Sequence, residues 1–315
     1  MKSGPWRLIF LGTPAFALPS LEALLDAGEE VAAVVTQPDR PRGRGQLVTP
    51  SPVKELASAR GLPVLQPQRL KDPALIRTLA DLRPELMIVV AYGRILTHEI
   101  LALPSVGFLN VHASLLPRYR GAAPINWALI NGEKETGVTV QWVKYEVDTG
   151  DIFLQERVPI LEGDNAGALS ARLAQRGAAL LVRALEMLRQ GQAIRKPQSE
   201  EGVSYAPPLT KEMSRINWQL SAPEVAGWIR GLDPRPGART LWQGQFLKLF
   251  GAKVLKAAGR SGPPGAVLRL HPHGGLEIAC GQGSVLIKEL QLSGHKRLPA
   301  AEFIRGNPLL KQVLE

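Results

Sequence analysis

The chain has 315 residues, 45% of them hydrophobic, which is length enough for two domains and a sizeable core, and no apolar run reaches the roughly 18 residues of a membrane span. A single cysteine, Cys280, excludes an internal disulfide and suits a reducing cytoplasm, and with five scattered histidines it supplies no ligand cluster for a metal. The net charge of +10 suggests a polyanionic partner, and it is uneven: residues 209–315 hold 15 Lys and Arg against 7 Asp and Glu, whereas residues 1–208 hold 23 against 21.

Along the chain, residues 8–11 form a short apolar strand ended by Gly12, with no signal-peptide pattern before it. Gly12-Thr13-Pro14 lacks the Gly-x-Gly-x-x-Gly fingerprint, which argues against a dinucleotide-dependent oxidoreductase. Residues 19–27 have Leu21, Leu24 and Leu25 at helical spacing and Gly28 as a stop, and residues 31–35 form the next buried strand. Then comes a basic, glycine-rich loop, Arg40-Pro-Arg42-Gly-Arg44-Gly45. It reads either as a solvated loop or as an RNA-reading one, since arginine matches phosphates and base edges with a planar fork of donors.

A helix over 73–82 and strands over 86–92, 106–112 and 138–143 continue the alternation, and residues 169–189 form a long amphipathic helix stopped by Gly191. Continuous apolar strands between helices imply an α/β domain with a parallel sheet covered on both faces. Residues 190–208 are rich in Gln, Ser, Glu, Gly and Pro and read as a linker. Beyond it, short strands are expected over 238–250, 265–270, 276–280 and 285–292, with helices over 223–231 and 299–305 and a hairpin signal at Gly274-Gly275. That pattern suggests a small OB-like β-barrel, with Trp218, Trp228 and Trp242 in its core rather than stacking on bases.

The most informative stretch is Asn110-Val-His112-Ala-Ser114-Leu115-Leu116-Pro117. Side chains two apart on a strand share a face, so Asn110 and His112 converge, and Val147-Asp148-Thr-Gly150-Asp151 arrives one strand later. Taken alone, a strand-end histidine is commonly a satisfied structural residue, and Asn and Pro commonly make turns. Together the three polar groups suit a donor to an oxyanion, a proton carrier and a carboxylate that orients and charges it. Ser114 lacks the order and elbow context of a nucleophile.

The Asn-x-His-x-Ser-Leu-Leu-Pro run with Asp-Thr-Gly-Asp resembles the 10-formyltetrahydrofolate-dependent formyltransferases. Phe10-Leu-Gly-Thr-Pro-x-Phe16, Thr36 to Gly45, Pro50 to Lys54, Val90-Ala-Tyr92-Gly93 and Arg239-Thr-Leu-Trp242 are similar to the branch that formylates methionyl-tRNA, and the resemblance spans essentially the whole chain. It implies a Rossmann-like parallel-sheet catalytic domain over 1–189, a linker over 190–208 and an OB-like tRNA-binding domain over 209–315. Catalytic roles fall on Asn110, His112 and Asp148. Reduced folate contacts fall on Ser114, Leu115, Leu116, Pro117, Val90, Tyr92 and Gly93, and tRNA contacts on Arg40, Arg42 and Arg44. The implied co-substrate is 10-formyltetrahydrofolate with no metal. The implied acceptor is initiator methionyl-tRNA, and the expected state is a cytoplasmic monomer without membrane association. The alternative is a formyltransferase acting on a nucleotide-linked amino-sugar. Lys144-Tyr145-Glu146 departs from the family's usual residues before the aspartate, which leaves the path of that loop open.

Overall fold

The computed structural model describes residues 2, 4–42, 47–259, 261–272 and 274–315, which form two compact units. The first comprises residues 1–122, 137–158 and 170–206, and the second comprises residues 123–136, 159–169 and 207–315. No helix among the described residues is long and apolar enough to cross a membrane.

In chain order the elements begin with β1 (Arg7–Gly12), α1 (Leu18–Asp26), β2 (Glu30–Val35), β3 (Arg40–Arg42), β4 (Leu47–Thr49), α2 (Pro52–Ala59), β5 (Val64–Leu65), α3 (Pro73–Asp81), β6 (Leu86–Val90), α4 (His98–Leu101) and β7 (Gly107–His112). They continue with α5 (Pro124–Ile130), β8 (Glu135–Trp142), β9 (Ile152–Pro159) and α6 (Ala166–Arg189). Sharp starts are encoded locally. Ser51 and Asp72 cap α2 and α3 through their side chains, and each helix has proline in its first turn, where no backbone donor is needed.

The main sheet has the order β5-β2-β1-β6-β7-β8-β9. β5, β2, β1, β6 and β7 pair in parallel, as expected from their two-sided apolar runs. β8 differs from these five in pairing antiparallel with β7, placing Asn110 opposite Gln141 and His112 opposite Thr139. Strand direction is not carried by the apolar pattern, since β8 is buried along nearly its whole length. The pleat turns Asn110 and His112 to one face of β7 and Val111 to the other. Val111 meets α6 at Gly177, where a Cβ would lie 2.6 Å from Val111 Cγ1, so only glycine lets helix and strand approach this closely.

The second unit adds α7 (Ala222–Leu232), then β10 (Ala238–Trp242), β11 (Gln245–Phe250), β12 (Lys253–Lys256), β13 (Val267–Leu270), β14 (Leu276–Ala279), β15 (Ser284–Ile287), β16 (Glu289–Leu292), β17 (Leu298–Pro299) and α8 (Ala300–Gly306). Ser221 and Glu224 close a capping box at the start of α7. α7 lies against α5 through two glycines, since a Cβ at Gly227 would meet the Leu129 carbonyl at 2.8 Å and one at Gly231 would meet the Asn126 carbonyl at 2.9 Å.

The strands form two antiparallel four-stranded sheets, β10-β11-β16-β17 and β12-β15-β14-β13. The single strand expected over 238–250 is a hairpin, because Gln243 (φ 50) and Gly244 (φ 74) supply the two left-handed positions of a tight turn. Trp218 and Trp242 lie in the core of this unit, and Trp228 packs against it.

Candidate active site

Asp148 is the hub of a polar cluster in the first unit. Its Oδ1 accepts from Gln141 Nε2 at 2.9 Å and Asn110 Nδ2 at 3.3 Å. Its Oδ2 accepts from the Gly121 N–H at 2.9 Å and faces His112 Nδ1 at 3.5 Å. Three of these groups follow from the sheet. Asn110 and His112 share a face of β7, and Gln141 faces Asn110 across the antiparallel ladder.

Asp148 itself comes from the β8–β9 connection rather than from the carboxyl end of a parallel strand. That connection folds back over the sheet, with the Trp142 N–H bonded to the Asp151 carbonyl at 2.9 Å. The return needs two backbone concessions. Asp148 sits in the left-handed region (φ 56), which Asp tolerates better than most residues, and Gly150 has no room for a side chain.

His112 is buried, with 6% of its side chain exposed. Its Nε2 lies 2.9 Å from the Tyr119 carbonyl, which can only accept, so Nε2 carries a hydrogen. The opposite ring nitrogen looks at the carboxylate, and the imidazole is therefore oriented from both sides. Tyr119 is also in the left-handed region (φ 60), as is Ala91 (φ 48) after β6, so non-glycine residues in this sparsely populated conformation recur around the site.

A cavity opens beside the cluster. Asn110, Gln141 and Asp148 form its polar wall, and Val89, Ile95, Leu96, Val143 and Val147 form its apolar wall, with Arg94, Lys144, Tyr145 and Gly150 completing the lining. The unusual Lys144-Tyr145-Glu146 segment has a defined path here. Lys144 pairs with Asp151 at 2.7 Å, and Tyr145 stacks on His98 with ring centroids 3.8 Å apart.

The expected residues are placed as follows. Asn110 and Asp148 line the cavity, and His112 stands behind the Asp148 carboxylate. Val90 and Tyr92 are buried behind the lining residues Val89 and Arg94–Leu96, and burial pushes the Tyr92 phenol upward. Ser114 is fully buried and donates to the Arg118 carbonyl at 2.6 Å, while its own carbonyl accepts from Thr139 Oγ1 at 2.7 Å. Leu116 is buried, with its N–H on Thr139 Oγ1, and Leu115 and Pro117 are half-buried in the same loop.

Arg40 is exposed at the base of the β3–β4 hairpin, which also carries Arg42, and Arg44 lies outside the described residues. The neighbouring Asp39 accepts from Lys54 at 2.5 Å and Gln66 at 2.7 Å, and these hydrogen bonds, Lys54 first, hold its carboxyl below the usual range.

Sequence reasoning missed Gln141, Gln198 and Arg120. A buried glutamine within Val138-Thr-Val-Gln-Trp142 was a signal, but it became readable only with the β7–β8 register. Gln198 offered none, because it lies in the polar stretch expected to be a linker. In the structure that stretch is laid along the first unit as far as Ala206. Lys196 pairs with Ile152 through both backbone groups, and the Arg120 N–H bonds the Ser204 carbonyl at 2.9 Å. Among the described residues, no group of three or more His, Cys, Asp or Glu side chains is arranged to hold a metal.

A family profile described as "Formyl transferase" matches residues 6–185, and one described as "Formyl transferase, C-terminal domain" matches residues 208–308. The methionyl-tRNA formyltransferase of Pelotomaculum thermopropionicum is 50% identical over 309 residues, covering 98% of each chain. Among solved structures, an N-formyltransferase from Helicobacter canadensis in complex with folinic acid and dTDP-3-aminofucose superposes with a TM-score of 0.68 at 19% identity, covering 93% of this chain and 100% of that one. HypX from Aquifex aeolicus in complex with tetrahydrofolic acid superposes with a TM-score of 0.67 at 21% identity, covering 98% of this chain and 48% of that one. At these identities the structural likeness bears on the fold alone.

Proposed function

The chain belongs to the methionyl-tRNA formyltransferases, and on that premise we propose how its residues carry a formyl group from 10-formyltetrahydrofolate to the α-amino group of initiator methionyl-tRNA, yielding N-formylmethionyl-tRNA for translation initiation. The observation that carries the assignment of the site is the convergence of Asn110, Gln141 and the His112-backed Asp148 on the wall of one half-apolar cavity.

The amine attacks the formyl carbon, the carbon–oxygen double bond opens to an oxyanion, and the tetrahedral intermediate collapses as the bond to the folate nitrogen breaks. Asn110 directs one amide hydrogen toward Asp148, and its second is the donor for the oxyanion. The proton lost by the amine and the one gained by the leaving nitrogen pass through the Asp148–His112 pair. The carboxylate stands at the cavity and the imidazole behind it stabilises the charge. The apolar wall takes the folate ring. Val90, Tyr92 and Gly93 support that wall, and Ser114–Pro117 fix the loop below the reacting centre.

The β3–β4 hairpin with Arg40, Arg42 and Arg44 is assigned to the tRNA acceptor end. Residues 209–315, whose strands we read as an OB-like barrel, add the positive field that tracks phosphates. The working division is residues 1–189 for catalysis, 190–208 for connection and 209–315 for RNA, in a cytoplasmic monomer.

The test is transfer of labelled formyl from 10-formyltetrahydrofolate to methionyl-tRNA, with a nucleotide-linked amino-sugar as competitor acceptor. Label on the tRNA is the expected result, and label on the sugar alone would replace the assignment.

A further inference from the structure

The Asp148 turn is held in place by a side chain from a distant part of the chain. Gln198 Nε2 donates to the Asp148 carbonyl at 2.8 Å and to the Gly150 carbonyl at 2.8 Å, and it approaches Gln141 Oε1 at 3.3 Å. Its Oε1 in turn accepts from Arg120, at 3.0 Å from Nε and 2.7 Å from Nη2. One carboxamide thus uses both donors and its acceptor on a single turn and on the loop that faces it. Arg120 directly precedes Gly121, whose N–H binds the Asp148 carboxylate, so Gln198 grips Asp148 from its backbone side while Gly121 holds its carboxylate.

Asp148 is in the left-handed region, where a residue with a Cβ remains only when its surroundings over-determine it. Within the turn, Thr149 bonds the Glu146 carbonyl, at 3.0 Å from Oγ1 and 3.5 Å from the N–H, and the Trp142 N–H and Lys144 bond Asp151.

We propose that Gln198 is a positioning residue for formyl transfer. Bridging Arg120 to the Asp148 and Gly150 carbonyls, it fixes the direction in which the Asp148 carboxylate meets His112, Asn110 and the acceptor amine. The strap that carries it, residues 190–206, is then a working wall of the site as well as a connection. This rests on the reading that Asp148 takes part in the transfer.

Leucine matches glutamine closely in size but can neither donate nor accept. In Gln198→Leu the turn loses its clamp, and kcat falls by about 10²-fold, the scale on which a misplacement of about 1 Å acts. KM for both substrates and the thermal midpoint stay close to those of the parent. Gln198→Glu keeps the acceptor for Arg120 but sets an oxygen against two carbonyls, so it does not rescue. Gln198→His keeps one donor and restores part of the rate.

The deciding comparison is a double-mutant cycle with Asp148→Asn. If Gln198 works through Asp148, Gln198→Leu has little further effect on kcat once Asp148→Asn is present. Additive losses, or a Gln198→Leu variant with parental kcat while Asp148→Asn is impaired, would overturn the role of Gln198 and leave the site standing. A parental kcat in Asp148→Asn alone would instead overturn the assignment of the site. Loss of thermal stability in Gln198→Leu that accounts for its lost activity, with KM rising alongside, would reduce Gln198 to a structural residue.

Discussion

A methyl group at Gly150 would lie 1.5 Å from the Trp142 carbonyl oxygen, a backbone atom that cannot step aside. Gly150→Ala therefore displaces the turn that presents Asp148. The expected result is a loss of stability of about 1–3 kcal/mol, read by denaturant unfolding, together with a fall in turnover larger than that loss explains. The same change at Gly163, where a Cβ would meet nothing within 4 Å, is the control and leaves both unchanged. The thiol of Cys280 is protected in the folded chain. It is fully buried, and that burial pushes its thiol up to about 12, so the native chain resists alkylation at neutral pH while the unfolded chain reacts. Rapid alkylation without unfolding would contradict the buried placement. That Asn110, His112 and Asp148 come together was legible in the sequence, because their chemistry is unusual for a strand end and an acidic loop. The sequence hid Gln198, because a glutamine in a polar, proline-containing stretch looks the same whether it is solvated or clamped.

At the scale of elements, the contact between α6 and β7 depends on Gly177. Gly177→Val inserts a branched side chain where even a Cβ would come within 2.6 Å of Val111, and it should destabilise the chain by about 1–3 kcal/mol. Unchanged unfolding would mean that helix and strand part freely. The β3–β4 hairpin is predicted to read tRNA. Arg44→Leu should lower kcat/KM for methionyl-tRNA by roughly tenfold or more, as expected for loss of one bidentate contact worth about 1–3 kcal/mol, with KM for the folate unchanged. Arg44→Lys should recover only part of it. A defect confined to folate binding would remove the hairpin from RNA recognition. Most strands and helices of the parallel sheet were readable from apolar runs and stops. The direction of β8 was not, because a strand buried on both faces carries the same pattern either way. The hairpin turn at Gln243-Gly244 was also missed, because its first left-handed position is a glutamine.

For the whole molecule, the charge distribution and the two compact units matter together. The excess of positive charge in residues 209–315 predicts that tRNA affinity falls steeply with salt, through counterion release. A simple truncation at residue 208 is a poor test of this, since α5 belongs to the same unit as α7 and would lose the helix it packs on. Charge-neutralising substitutions in the full chain, at exposed Lys256 and Lys311 for example, should instead flatten the salt slope while leaving the folate site alone. Single-turnover formylation with both substrates saturating isolates the chemical step assigned to Asn110, His112 and Asp148. Asn110→Ala, His112→Ala and Asp148→Asn should each slow the transfer by about 10²-fold or more with both substrates still bound. Parental single-turnover rates in these variants would take the three residues out of the chemistry.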